Sequence, residues 1–133
     1  MDWIQVDAYM IIVEREKTFD QYEILEVQPF DFHHLFQAYI ANDALANFLG
    51  QFGIDGQKPS ALMSLAVEEG EGVLFTGKYY FEGYIELGEF DLWDIFIGTT
   101  VFSFTQDEAA PFSSAEASYV ELSFEMVVPM NQQ

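Results

Sequence analysis

The fold class is decided near the end of the chain, at residues 120–128, which read VELSFEMVV. Apolar side chains occupy the even positions from 120 to 128, and Glu121, Ser123 and Glu125 lie between them. An alternation of period two is typical of a strand that buries one face and leaves the other in water. The segment therefore predicts one strand of an antiparallel sheet, with an acidic and polar outer face.

Further strands are predicted upstream of this segment. Four stretches are rich in aromatic and β-branched residues and are separated by glycines, as is typical of sheet proteins, namely residues 73–81, 84–87, 90–97 and 101–104. Residues 3–13 and 22–28 have a similar composition, and the polar turn at 15–17 between them suggests a hairpin. Residues 61–67 fit either a buried strand or a helical turn.

The apolar period changes to three and four over residues 31–52, which indicates helix. Asp31 is a candidate N-cap, and Asn42-Asp43 is compatible with one long helix or with a second helix that begins there. The chain shows no internal repeat and no linker. The prediction is a single acidic α+β domain over residues 1–133, in which an antiparallel sheet of about six strands carries one or two helices (residues 31–52) on one face.

The charge of the chain limits what it can bind. The 133 residues include 23 acidic and 4 basic ones, for a net charge of −19, yet half of the residues are hydrophobic. That hydrophobic content favours a compact fold over acidic disorder. Direct binding of nucleic acid or of an anionic membrane is not expected, since like charge repels phosphate.

The sequence also favours a location in the cytoplasm. There is no cysteine, no apolar run of the roughly 18 residues that a membrane span needs, and no basic segment of the secretory type at the start. A cytoplasmic protein without disulfides is the expectation.

Catalytic groups are scarce, so we expect a binding protein and not an enzyme. The only histidines, His33 and His34, are adjacent on the predicted helix and point about 100° apart, which prevents them from converging on one site. Glu89, Asp91 and Asp94 are the best carboxylate candidates for a hard cation, but we expect a solvated acidic strand face instead. No metal and no cofactor are expected.

The acidic residues of the predicted strands lead to the functional hypothesis. If neighbouring strands carry their acids on one face, they form a rigid negative plate that can occupy a Lys/Arg-lined groove in place of DNA. The acidic residues expected to bind a partner are Glu82, Glu86, Glu89, Asp91, Asp94, Glu121 and Glu125. Tyr79, Tyr84 and Trp93 are expected to act as aromatic anchors among them.

The leading hypothesis is a small acidic inhibitor that blocks the basic, nucleic-acid-handling surface of another protein, in the manner of DNA-mimic anti-defence proteins or of immunity proteins against nucleases. Three alternatives remain open. The chain could be a self-assembling structural protein, and so a homo-oligomer, or a carboxylate-based metal binder or enzyme. Adaptation to high salt would also explain the acidity.

Overall fold

The computed structural model describes residues 1–67, 72–106 and 118–129. Within these residues the chain forms a sheet of seven strands, in which every pairing is antiparallel, and three helices. The strands are β1 (Asp2–Val6), β2 (Tyr9–Val13), β3 (Ala61–Ala66), β4 (Gly72–Leu87), β5 (Ile95–Ile97), β6 (Thr100–Gln106) and β7 (Tyr119–Pro129). The helices are α1 (Arg15–Glu23), α2 (His33–Ile40) and α3 (Asp43–Gly50). The α+β prediction is confirmed.

The long strand β4 organises the sheet. On one side it pairs with β7 from Gly72 to Glu82, and the order then continues through β6 to β5. On its other side it pairs first with β3, up to Lys78, and then with β2, from Gly83 onward. The segments predicted at 73–81 and 84–87 are therefore one continuous strand that changes partners along one side.

Residues 120–128 form a strand with one buried face, as their alternation predicts. The even positions of β7 are buried in the core, and the odd positions point to the other face. The inward residues of β4, such as Phe75, Tyr79 and Phe81, join them. The phenylalanine-rich core of the domain lies on this face of the sheet.

Helices α2 and α3 cover the core face, as the period over residues 31–52 predicts. Phe36 packs against Phe75 at a ring-centroid distance of 5.4 Å, and Phe48 packs against Phe102 at 4.7 Å. Two helices form because the Asn42 side chain accepts hydrogen bonds from the first backbone N–H groups of α3. Asp31 is not the N-cap of α2. That position belongs to Phe32, which adopts a left-handed conformation and makes no side-chain cap.

The hairpin predicted from 3–13 and 22–28 is wrong in its placement. Residues 3–13 contain both strands of a hairpin, β1 and β2, which turn at Asp7 with a φ of 50°. Residues 15–23 are helix α1, and residues 24–28 form no regular element. The bulky residues of 22–28 suggested a strand, but only Thr18 and Tyr22 of α1 are buried, so the helix has hardly any apolar face to recognise.

Helix α1 completes the side of β4 that lies between β3 and β2. The Tyr22 hydroxyl donates to the carbonyl oxygen of Tyr80 (2.9 Å) and accepts from the backbone N–H of Tyr80 (3.0 Å). The Thr18 hydroxyl oxygen accepts from the N–H of Glu82 (3.0 Å), and the N–H of Glu14 donates to the Glu82 carbonyl (2.8 Å). These groups take the place of a neighbouring strand, which explains why a helix forms at this point of the fold.

Two more expectations change. Residues 61–67, left open between strand and helix, include strand β3. The strand predicted at 90–97 is limited to Ile95–Ile97, because residues 90–94 form a loop in which Asp91 has a φ of 67°. The acidic turn at 68–71 and the loop at 107–117 lie outside the described residues.

Candidate functional site

The face of the sheet opposite the helices is termed here the open face. It carries the odd residues of β7 together with every second residue of β3, β4 and β6. The pairing registers arrange these side chains in rows that run across the strands. The rows differ in chemistry from one end of the face to the other.

One end of the open face is apolar. Leu65, Leu74 and Val127 form a row across β3, β4 and β7. In the next row Met63 lies beside Thr76, followed by Glu125 and Val101. Phe96 of β5 extends that row at its far end and is 64% exposed. Met63, Leu65, Leu74 and Val127 lie together at this end and are called the apolar patch below, whereas Thr76 and Glu125 separate Phe96 from Met63.

The opposite end of the open face carries Glu121 and Glu82, both half-buried. Glu121 Oε1 accepts from the Tyr80 hydroxyl (3.2 Å) and from Lys78 Nζ (3.4 Å), and Oε2 accepts from Ser123 (2.9 Å). Glu82 accepts from the Gln21 side chain (3.1 Å) and lies 3.9 Å from Lys17 Nζ. Both carboxylates are therefore bound within the fold.

The loop between β4 and β5 lies against the open face. Asp91 Oδ1 accepts from the Thr105 hydroxyl (2.9 Å), and the Asp91 N–H donates to the Phe104 carbonyl (2.8 Å). These contacts bring Trp93, which is 46% exposed, to the middle of the face. There Trp93 forms one wall of a groove of about 330 Å³ whose other lining residues include Met63, Thr76, Lys78, Ser123 and Glu125.

A second group of acids surrounds the hydroxyl of Tyr9 at the end of β2. That hydroxyl donates to Asp94 Oδ1 (3.0 Å) and to the carbonyl of Glu89 (2.9 Å). Burial raises the pKa of Tyr9 to about 12, aided by the hydrogen bond to Asp94 and by the negative charges of Asp94, Glu89 and Asp7. Asp7, Glu89 and Asp94 are exposed, make no ion pair with any described residue, and are called the acidic cluster below.

The structure separates the predicted binding residues into groups. Glu86, Glu89, Asp91, Asp94 and Glu125 are exposed, whereas Glu82 and Glu121 are half-buried and paired with lysines. The seven acids do not form one continuous plate. Glu82, Glu121 and Glu125 lie on the open face, while Glu89 and Asp94 gather at Tyr9.

Of the predicted aromatic anchors, Tyr84 and Trp93 are exposed, but the prediction for Tyr79 is wrong. Its side chain is fully buried, stacks on Phe124 at a centroid distance of 5.4 Å, and donates a hydrogen bond to the Gly56 carbonyl (2.7 Å). Burial holds the pKa of Tyr79 well above its ordinary value. Tyr79 and Tyr80 are consecutive in β4, so their side chains point to opposite faces of the sheet, and that of Tyr79 points into the core.

Sequence reasoning missed the apolar patch. Met63 and Leu65 belong to the segment left undecided between strand and helix, so their exposure could not be anticipated. A strand assignment with its alternation would have placed Met63 and Leu65 on one face and Leu62 and Ser64 on the other.

The described residues contain no group of three or more His, Asp or Glu side chains arranged to hold a metal ion. The rings of His33 and His34 meet edge to face at a centroid distance of 6.4 Å. None of the helices in the described part of the chain is long and apolar enough to cross a membrane.

Comparison of the chain with protein-family models, with curated proteins and with solved structures found no match.

Proposed function

We propose that this chain is an acidic binding protein that covers the basic, nucleic-acid-handling surface of a partner protein and blocks it, as DNA-mimic anti-defence proteins and nuclease immunity proteins do. The observation that carries the proposal is the acidic cluster of Asp7, Glu89 and Asp94. It is a local concentration of exposed carboxylates with no described cation beside it.

The charge balance of the fold supports this proposal. All four basic side chains are already engaged. Lys17, Lys58 and Lys78 lie within 4 Å of Glu82, Asp55 and Glu121, respectively, and Arg15 donates to the Gly50 carbonyl. The remaining negative charge faces water, where it opposes folding by self-repulsion. A basic partner relieves that repulsion and gains a fast, charge-steered association.

Clustering matters because average charge density is low. With a surface of 7685 Å² and a net charge of −19, there is one excess charge per about 400 Å². A partner footprint of about 800 Å² then meets about two excess charges on average. The acidic cluster supplies three within the surroundings of one tyrosine hydroxyl, and Asp91 lies between two of its members in the same loop. We infer that this edge of the domain faces the partner.

The experiment uses the immobilised protein and two variants of equal charge change. The first variant carries Asp7→Asn, Glu89→Gln and Asp94→Asn, and keeps an acceptor for Tyr9. The matched control carries Glu16→Gln, Asp20→Asn and Glu23→Gln, three exposed acids of α1. Lysate from the native cell is passed over each at low and high salt, and bound proteins are identified by mass spectrometry.

The proposal expects a basic, nucleic-acid-binding protein that is displaced by high salt and by duplex DNA. Its capture should fall at least about tenfold with the cluster variant and by much less with the α1 control. Equal loss with both variants would mean that only net charge matters. Retention of the same partner regardless of salt and of either variant would overturn the proposal.

Self-assembly is a second candidate, and the apolar patch favours it. Met63 and Leu65 are 73% and 65% exposed in the described structure, and contiguous exposed apolar surface commonly marks an interface. Light scattering across a range of concentrations tests this reading. A defined oligomer would support a structural role, and a monomer throughout would remove it.

A further inference from the structure

Strand β3 has a free edge. Its register with β4, together with the hydrogen bond from the Val67 N–H to the Gly72 carbonyl (2.9 Å), sets the phase of the ladder. Alternate residues of an antiparallel pair direct their peptide groups toward the partner strand, so those of Leu62, Ser64 and Ala66 point away from β4. No strand pairs with this edge in the part of the chain that the structure describes.

The edge of β3 carries neither a charge nor a proline, which are two of the usual protections against strand pairing. The chain as a whole is nevertheless highly charged. On the open face Met63 and Leu65 stand beside the edge and are largely exposed. By contrast, the outer strand β1 carries Asp2, and the outer strand β5 is only three residues long. β3 is the one long, uncharged outer strand among the described residues.

We infer that β3 accepts an extended segment of a basic partner protein as an additional strand of the sheet. Main-chain hydrogen bonds to Leu62, Ser64 and Ala66 would provide the pairing, and side chains beside Met63 and Leu65 would provide the apolar contact. The basic character of the occupant rests on the function proposed above. The strand addition itself rests on the free edge.

Charge selects this occupant over a second copy of the chain. A second copy brings another −19, and the lysines and the arginine that could offset it are engaged within each domain. A segment rich in Lys and Arg meets attraction instead, which grows as salt is lowered. The segment is expected to be apolar at two alternate positions, which lie beside Met63 and Leu65, and to carry Lys or Arg at its ends.

The two occupants give salt effects of opposite sign. Pairing with a basic segment weakens as salt rises, because screening reduces attraction between unlike charges. Pairing between two copies strengthens as salt rises, because screening reduces repulsion between like charges. Salt dependence therefore distinguishes them without knowledge of the natural partner.

The probe is a synthetic ten-residue peptide with alternating valine and threonine at its centre and two lysines at each end. Its binding to the full chain is measured by calorimetry at several salt concentrations, with a peptide of scrambled sequence and equal charge as control. Amide hydrogen exchange of the chain is followed with and without the peptide. The N–H groups of Leu62, Ser64 and Ala66 are expected to gain protection, whereas those of Met63 and Leu65 are protected already by β4.

Three variants locate the contact. Ser64→Pro removes an edge N–H while leaving the β4 ladder intact, since that N–H points outward. Leu65→Ser removes apolar surface beside the edge, and Phe96→Ser removes a side chain of equal exposure at the opposite side of the sheet. We expect binding to weaken at least about fivefold for Ser64→Pro and for Leu65→Ser, and to stay unchanged for Phe96→Ser.

Each outcome decides the inference. Salt-weakened peptide binding with new protection at 62, 64 and 66 supports it, and circular dichroism confirms that the variants are folded. If Ser64→Pro does not fold, the exchange pattern of the unaltered chain remains a complete test. A dimer that strengthens with salt, or peptide binding without protection at β3, overturns it. If the peptide does not bind at β3 while the variant of the acidic cluster still fails to capture the basic partner, the inference is overturned and the proposed function is not.

Discussion

The hydroxyl group of Tyr9 donates a hydrogen bond of 3.0 Å to Asp94 Oδ1, which links the end of β2 to the loop that precedes β5. The Tyr9 side chain packs in the core, and its hydroxyl group lies among three acidic side chains. Its neutral form is therefore strongly favoured in the folded state. The surroundings of Tyr9 therefore contribute to a dependence of stability on pH at the alkaline end.

We expect the free energy of unfolding to fall as pH rises from 10 to 12. The unfolded chain loses the Tyr9 proton near pH 10, whereas the folded chain keeps it up to a pKa of about 12. The contribution is complete below pH 10 and is lost as pH rises through 12, a change of about 1–2 kcal/mol after allowance for screening by solvent. Urea unfolding at a series of pH values measures it.

Tyr9→Phe is the control for this pH dependence. Tyr22, Tyr79 and Tyr119, whose pKa values are also raised by burial, titrate in both proteins and cancel in the comparison. The variant should be less stable at pH 8, where its two hydrogen bonds are missing, and should lose less stability on going to pH 12. Parallel curves for the two proteins would contradict the assignment.

The docking of α1 on β4 gives a second prediction. Tyr22→Phe removes the hydroxyl that serves both the N–H and the carbonyl of Tyr80. Because both groups are buried, the loss should cost about 2–4 kcal/mol of the free energy of unfolding. Tyr84→Phe, at an exposed residue of the same strand, should change it by less than about 0.5 kcal/mol. Equal effects in chemical denaturation would show that α1 does not complete the edge of β4.

Helix α1 is the element of the fold that could not be predicted from the sequence. The strand β7 and the helices α2 and α3 have clear periods because one face of each is buried against a large core. Helix α1 buries only Thr18 and Tyr22. Its position depends on the stretch of β4 between its pairings with β3 and β2, which lies about sixty residues further along the chain. The local sequence of α1 cannot show that a distant stretch of β4 lacks a neighbouring strand on that side.

The candidate site shows the same limit. The exposure of Glu89, Asp91 and Asp94 follows from their type. The meeting of Trp93 with Glu125 and Met63 in one groove depends on strand register and on the path of a loop. Tyr79 was misplaced because two consecutive tyrosines fit either phase of the strand, and only the pairing with β7 determines which one points inward.

Gly83 provides a third prediction, because β4 changes partners at this residue. Its φ is 152°, and a Cβ atom there would collide with the carbonyl oxygen of Ile12 on β2. Gly83→Ala should therefore cost about 3 kcal/mol or more in the free energy of unfolding. At Gly50 in α3 an added Cβ meets no atom within 4 Å, and Gly50→Ala should stabilise by about 0.5–1 kcal/mol. Thermal unfolding of the two variants checks both signs, and a tolerated Gly83→Ala would refute the close approach of β2.

The last prediction separates two glutamates of β7 that sequence reasoning assigned the same role. Glu121 accepts hydrogen bonds from Lys78, Tyr80 and Ser123, whereas Glu125 is exposed and makes none with a described residue. Glu121→Gln should lower the free energy of unfolding by about 1–2 kcal/mol, because one amide group cannot satisfy three donors as the carboxylate does. Glu125→Gln should stay within about 0.5 kcal/mol of the unaltered chain, since it only removes one repulsive charge from the surface. The order of the two urea midpoints is the measurement. If Glu125→Gln were the more damaging change, the hydrogen-bonded network around Glu121 would not be the structural element that its geometry indicates.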